Sequence, residues 1–333
     1  YVAVAEISTA RGKSGGSGRL VAAALLASGL SMAVFSPEAV ASVVWGDQGV
    51  SATGVTEGVA LGPYDCKNPA SSQTVTDANG NPFVKSYPAG SSHEGAWLEG
   101  NRGVVLGGGC DNIAVAMQDA VAIGNGAAAS VNAVAIGNMA LANGHASVAM
   151  GYGAQALNVE AVAIGTQAQA TGYAALAMGK NAKADGFFSV AIGNEAHVID
   201  DGVLHSGNYG VAIGDNAKTQ SNGIAIGSGA GTFSDQVDPI TNAVTKTYVT
   251  TNQIAIGTAA GAYQQGEENI SLGFAAGSFI EGNRNFHVGG NAGAGSTGDD
   301  NMAIGQQAGV STSGSRNNAI GLQAGYNIQG NDN

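Results

Sequence analysis

Charge is scarce in this chain. Only 11% of its 333 residues are Asp, Glu, Lys or Arg, and only 6% are aromatic. An ordinary soluble domain carries roughly 25% charged residues. With so few large side chains, a core built mainly of Phe and Leu is excluded. The chain has only 6 prolines, and its glycines do not fall at every third position, so a collagen-type helix is excluded. Sparse charge beside 44% hydrophobic residues excludes simple disorder. What is abundant is small: 113 of the 333 residues are Gly or Ala. That composition suits a repetitive architecture in which small residues stack closely.

The first 41 residues read as a secretory signal peptide. Arg11, Lys13 and Arg19 precede the apolar stretch Leu20–Phe35, and Ala39-Val40-Ala41 supplies an A-x-A cleavage signal. The apolar stretch is shorter than the roughly 20 residues a transmembrane helix needs. The first residue is Tyr rather than Met, so the natural N-terminus is expected further upstream. Residues 42–333 hold 22 acidic and 9 basic residues, a net charge of −13. Affinity for a polyanion comes from Lys and Arg contacts, so nucleic acid is not an expected partner. No later stretch is long and apolar enough to span a bilayer.

Residues 42–120 are read as a non-repetitive lead-in or cap of short strands, with a turn at Asp77-Ala78-Asn79-Gly80-Asn81-Pro82. Both cysteines, Cys66 and Cys110, lie here. Two readings stand for them: one disulfide, suited to an exported protein, or two buried free thiols. No metal-ligand spacing accompanies the pair.

From residue 121 the sequence falls into thirteen blocks, each opening with a tetrapeptide that ends in Gly. The repeat glycines are Gly124, Gly137, Gly151, Gly165, Gly179, Gly193, Gly214, Gly227, Gly257, Gly273, Gly289, Gly305 and Gly321. Residues 121–253 carry blocks mainly of 14 residues with two insertions, and 254–333 carry blocks of 16. V-A-I-G alternates a branched residue with Ala, the period-2 mark of a strand, and the Gly admits a bend. A second alternation, as at Ala168 and Ala170, is followed by Asn, Gly, Ser and Asp, which supply a second turn. One block is therefore one coil of a solenoid. A helix fails on periodicity and on the cost of repeated Gly.

One face of these strands carries a branched apolar stripe: Val121, Ile123, Val134, Ile136, Val148, Met150, Val162, Ile164, Met178, Val190, Ile192, Ile213, Ile226 and Ile256. So small a coil cannot bury both strand faces. The stripe must share the interior or be covered by another chain, because a monomer rarely tolerates so large an exposed apolar patch. Symmetric association would cover it.

The blocks LAMGKNAKADGFFS at 176–189 and VAIGTQAQATGYAA at 162–175 resemble the head repeat of trimeric autotransporter adhesins, the YadA-like family. The 16-residue N-x-A-I-G-x-x-A-G blocks at 254–333 resemble a variant of that repeat, and YVAVAEISTARGK resembles the extended signal-peptide region of the family. The resemblance implies an all-β fold: a left-handed parallel β-roll solenoid of 14- and 16-residue coils, homotrimeric. It implies a non-enzymatic protein exported to the bacterial cell surface. There the head would bind host cells or extracellular-matrix proteins, and would support autoagglutination. It further implies attachment to the outer membrane through a C-terminal anchor not present in this chain. No cofactor or metal is expected.

Two insertions interrupt the blocks, one after Glu195-Ala196 and one over Thr232–Gln253. Insertions in repeat proteins often carry binding. Asp200, Asp201, His205, Lys246 and Tyr248 are the candidate ligand-binding residues there. The β-prone stretch 244–251 is either a projecting hairpin or an adapter between the two block lengths. His197 and His205 flank Asp200 and Asp201, an arrangement more typical of solvated loops than of a metal site. Gly124-Asn125-Gly126 and Gly227–Gly231 lie inside the repeat without the helix that a dinucleotide loop requires. Ile164–Ala168 matches a single hexapeptide of the left-handed β-helix acyltransferases, which run such units consecutively. An ice-binding solenoid would show a recurring Thr column, and none recurs at block spacing.

Overall fold

Short V-A-I segments favour pleated backbone, and the Gly after each one turns the chain. In the computed structural model these segments build an all-β parallel solenoid of about 13 turns. The structure describes residues 102–107, 113–200, 209–220, 222–231 and 252–333. It also describes Leu98 and the backbone of the strands at 42–45, 50–53, 58–61, 66–67, 71–76, 82–87, 92–93, 96–99, 236–237 and 244–246. The described residues contain no helix.

Sixteen strands form one continuous long sheet, from Ser42–Trp45 to Asn318–Ile320. Ten form a short sheet, from Val50–Thr53 to Lys218–Thr219. Neighbouring coils pair in parallel and in register. Val134, Ala135 and Ile136 face Val148, Ala149 and Met150 in the long sheet, and Gln155 faces Gln169 in the short one. The ladder continues through the bends, where the Gly151 N–H donates to the Ile136 carbonyl at 2.8 Å.

The lead-in contributes rungs to these sheets. Ser42–Trp45, Gly58–Leu61 and Gly103–Leu106 precede Val121–Ile123 in the long sheet, and Val50–Thr53 and Ala96–Glu99 begin the short one. Two antiparallel pairs accompany them, Ser71–Thr76 with Pro82–Tyr87 and Cys66–Lys67 with Ser92–His93. Cys110 lies outside the described residues, and with it any pairing to Cys66.

The core is a stack of methyl groups. Ala122, Ala135, Ala149, Ala163 and Ala177 of the long sheet meet Ala129, Ala142, Ala156, Ala170 and Ala184 of the short sheet, all fully buried. The two sheets approach too closely for larger side chains, so Ala occupies the inside. The repeat glycines share one backbone state, with φ between 122° and 136°, which L side chains rarely adopt. A Cβ on Gly151 would also lie 2.5 Å from the Gly165 carbonyl oxygen.

The second side of the coil changes after residue 253. There the short sheet gives way to one bridged residue per coil: Gln265, Glu281, Thr297, Ser313 and Gln329. Positive φ recurs in these segments, as at Ala259 (55°), Gly261 (58°) and Tyr263 (56°). Extended pairing cannot run through such a backbone. The interior also turns polar, with Gln253, Gln264, Ser271 and His287 fully buried.

Candidate interaction surfaces

Alternation puts Ala inward and its neighbours outward. Every V-A-I-type strand from Val121–Ile123 to Ile224–Ile226 has a buried middle residue between two less buried ones. The expected stripe therefore lies on the outer face of the long sheet and does not share the interior. Met150 is 38% exposed, Met178 39% and Ile256 41%, while Val121, Ile123, Val134, Ile136, Val148, Val162, Ile164, Val190, Ile192, Ile213 and Ile226 are half-buried. Stacked neighbours supply the cover these residues have. Each retains on the order of 1 kcal/mol of burial still to gain.

The opposite face is polar. The outward residues of the short sheet form one column: Leu141, Gln155, Gln169, Lys183, His197 and Lys218, paired coil to coil. Beside it runs a second column at the bends, Met139, Gly153, Gln167, Asn181, Glu195 and Asn216, each with φ between 53° and 62°. Apart from Leu141, the residues of both columns line one groove along the solenoid, together with Tyr152.

At the groove wall, Nε2 of His197 lies 2.7 Å from Oδ2 of Asp185, and the Thr171 hydroxyl donates to Oδ1 of Asp185 at 2.9 Å. Burial pushes the Asp185 pKa up. The hydrogen bonds from His197 and Thr171, aided by the charge of Lys183, outweigh it and hold the carboxyl below its ordinary value. His197 thus pairs with the preceding coil, although the sequence placed it beside Asp200 and Asp201.

At the turn entering the long sheet, Tyr173, Phe188 and Tyr209 form an aromatic row. Tyr173 meets Phe188 edge-on at 5.4 Å, and Phe188 stacks on Tyr209 at 5.5 Å. Phe188 is 48% and Tyr209 62% exposed. Tyr263 stacks on Phe279 further along, at 5.1 Å. In the 16-residue blocks the Arg284–Asp300 and Arg316–Asp332 pairs cross from coil to coil at the surface, at 2.8 and 2.5 Å.

The insertion residues are only partly placed. Asp200 is exposed, while Asp201, His205 and Tyr248 lie outside the described residues. Lys246 ends the strand Val244–Lys246, which opens the β-prone stretch and pairs antiparallel with Gln236–Val237 ahead of it. Its side chain is outside the described residues.

Sequence reasoning missed the Asp185–His197 pair, the aromatic row and the buried His287. The first needed the register between coils, since the two residues are 12 apart in blocks of 14. The last was readable, because His287 occupies the inward Ala position of its F-H-V-G tetrapeptide.

Residues 128–154, 156–182 and 170–196 match the family model described as YadA head domain repeat (2 copies). The matched residues include most of the lining of the polar groove and the central part of the apolar stripe. No curated protein matches the chain.

Proposed function

We propose that this chain, whose residues 128–196 are YadA-like head domain repeats, is the head region of a trimeric adhesin on a bacterial cell surface. It attaches the cell to host extracellular matrix. The observation that carries this reading is the uncovered apolar stripe on the outer face of the long sheet. A second and a third copy would cover it, because cyclic symmetry lets three identical faces meet on one axis. In this reading the coils wind left-handed, residues 1–41 direct export, and an anchor beyond this chain holds the head at the outer membrane.

The apolar faces turn toward the axis and the short-sheet faces turn outward, so each assembly presents three copies of the polar face. Weak polar contacts then add through effective concentration. Adhesion is achieved by avidity, without chemistry and without a cofactor. The test is binding of the purified chain to surfaces coated with collagen, fibronectin or laminin. Retention on at least one, and less by a monomeric variant, is expected. A folded trimer that adheres to none of them contradicts host-matrix attachment.

A further inference from the structure

The polar groove has features that a flat adhesive face does not need. It runs along the solenoid axis across six coils, a length of about 24 Å at the usual strand spacing. Its floor and wall repeat once per coil. Planar amides dominate: Gln155, Gln167, Gln169 and Asn181 all line it. Each amide both donates and accepts, the pairing that hydroxyl groups require. Tyr152, 58% exposed, stands at one end, where its ring can stack on an apolar face of a ligand.

The lining is also locally cationic. Lys183 and Lys218 face it from coils on either side of His197, and neither is in an ion pair among the described residues. Glu195 is the acidic residue of the lining, and Asp185 behind the wall is already held by His197 and Thr171. This strip sits on a chain of net charge −12.

We propose that the groove binds a linear acidic glycan lying along the solenoid axis. Its hydroxyls would meet the amide ladder, and its carboxylate or sulfate groups would meet Lys183 and Lys218. The proposal rests on the adhesin reading and names the ligand class of its outward face. An acidic peptide fits less well. Peptides gain affinity by adding to a free sheet edge and by filling side-chain pockets. The coils here pair above and below along the groove, which leaves no edge, and the lining offers apolar contact only at Met139 and Tyr152.

The test uses the full chain over immobilised chondroitin sulfate, neutral dextran and poly-glutamate. Binding to chondroitin sulfate above the other two is expected, falling as salt rises. The variant Lys183→Gln/Lys218→Gln removes both charges, leaves polar side chains one atom shorter, and should bind about tenfold more weakly, at roughly threefold per exposed ion contact. Gln169→Ala should weaken binding without changing its salt dependence. Equal binding by the lysine variant, or poly-glutamate bound as tightly as the glycan, would overturn the proposal. Loss of glycan binding with matrix adhesion and oligomer mass intact would place failure in the groove alone. Loss of matrix adhesion with glycan binding intact would place it in the matrix reading.

Discussion

The backbone N–H of Asn301 donates to Oδ1 of Asn285 at 2.9 Å. The same bond recurs from Asn285 to Asn269, from Asn317 to Asn301 and from Asn333 to Asn317. Each amide group also donates onward, as from Asn301 Nδ2 to the Gly314 carbonyl at 2.9 Å. The result is a buried asparagine ladder, repeating every 16 residues, that clamps successive coils. Asn301→Ala leaves the Asn317 N–H and the Gly314 carbonyl without these partners. A loss of about 2–4 kcal/mol is expected, read by denaturant unfolding of that segment.

The bends make a sharper prediction. Gly151→Ala forces a side chain onto a backbone at φ 133° and against the Gly165 carbonyl. Destabilisation of about 3 kcal/mol or more should follow. Gly290→Ala is the control, because its nearest neighbour would be the Gln306 Cγ at 4.0 Å. Its effect should stay within about 0.5 kcal/mol. Thermal unfolding of the two variants separates them.

A third prediction concerns acid. His287 is fully buried and neither ring nitrogen has a hydrogen-bond partner. Burial lowers its pKa from 6.5 to about 4. Its neighbours Ser271, Gly277 and Gly293 offer no charge to offset protonation. The unfolded chain therefore binds this proton first, and stability falls as pH drops from about 6.5 toward 4. The full loss is about 3 kcal/mol. Asp300 and Asp332, whose pKa values are lowered by hydrogen bonds from Arg284 and Arg316, add a loss at lower pH. His287→Ala restores the residue found at Ala255, Ala303 and Ala319. It should flatten the unfolding midpoint between pH 6.5 and 4 while leaving the steeper acid limb.

Much of this architecture was legible in the sequence. Val-Ala-Ile-Gly fixes strand, bend and period because alternation and the glycine requirement are local. Which face lies inside was not legible, since Ala and Val are both apolar. Only the distance between the two sheets, a tertiary quantity, decides for Ala. The rungs before Val121 escaped notice because Gly103-Val104-Val105-Leu106 keeps the alternation but not the small inward residue or the block spacing. The groove was hidden for a related reason. Gln155, Gln169 and Lys183 read as unrelated polar positions until register stacks them in one column. The asparagines at 269, 285, 301, 317 and 333, by contrast, recur every 16 residues and were open to reading.

The proposed trimer requires three long-sheet faces to meet. Val148 and Val162 are neighbours on that face, paired in register and half-buried in a single chain. Lysine at both positions can extend into water without disturbing the alanine core, but would place six charges at the axis of a trimer. Sedimentation equilibrium of the wild-type chain and of Val148→Lys/Val162→Lys tests this directly. Three times the protomer mass is expected for the wild type. A folded monomer, with unchanged β-type circular dichroism, is expected for the variant. A wild-type chain that sediments as a stable monomer, or a variant that remains trimeric, would contradict the proposed trimer.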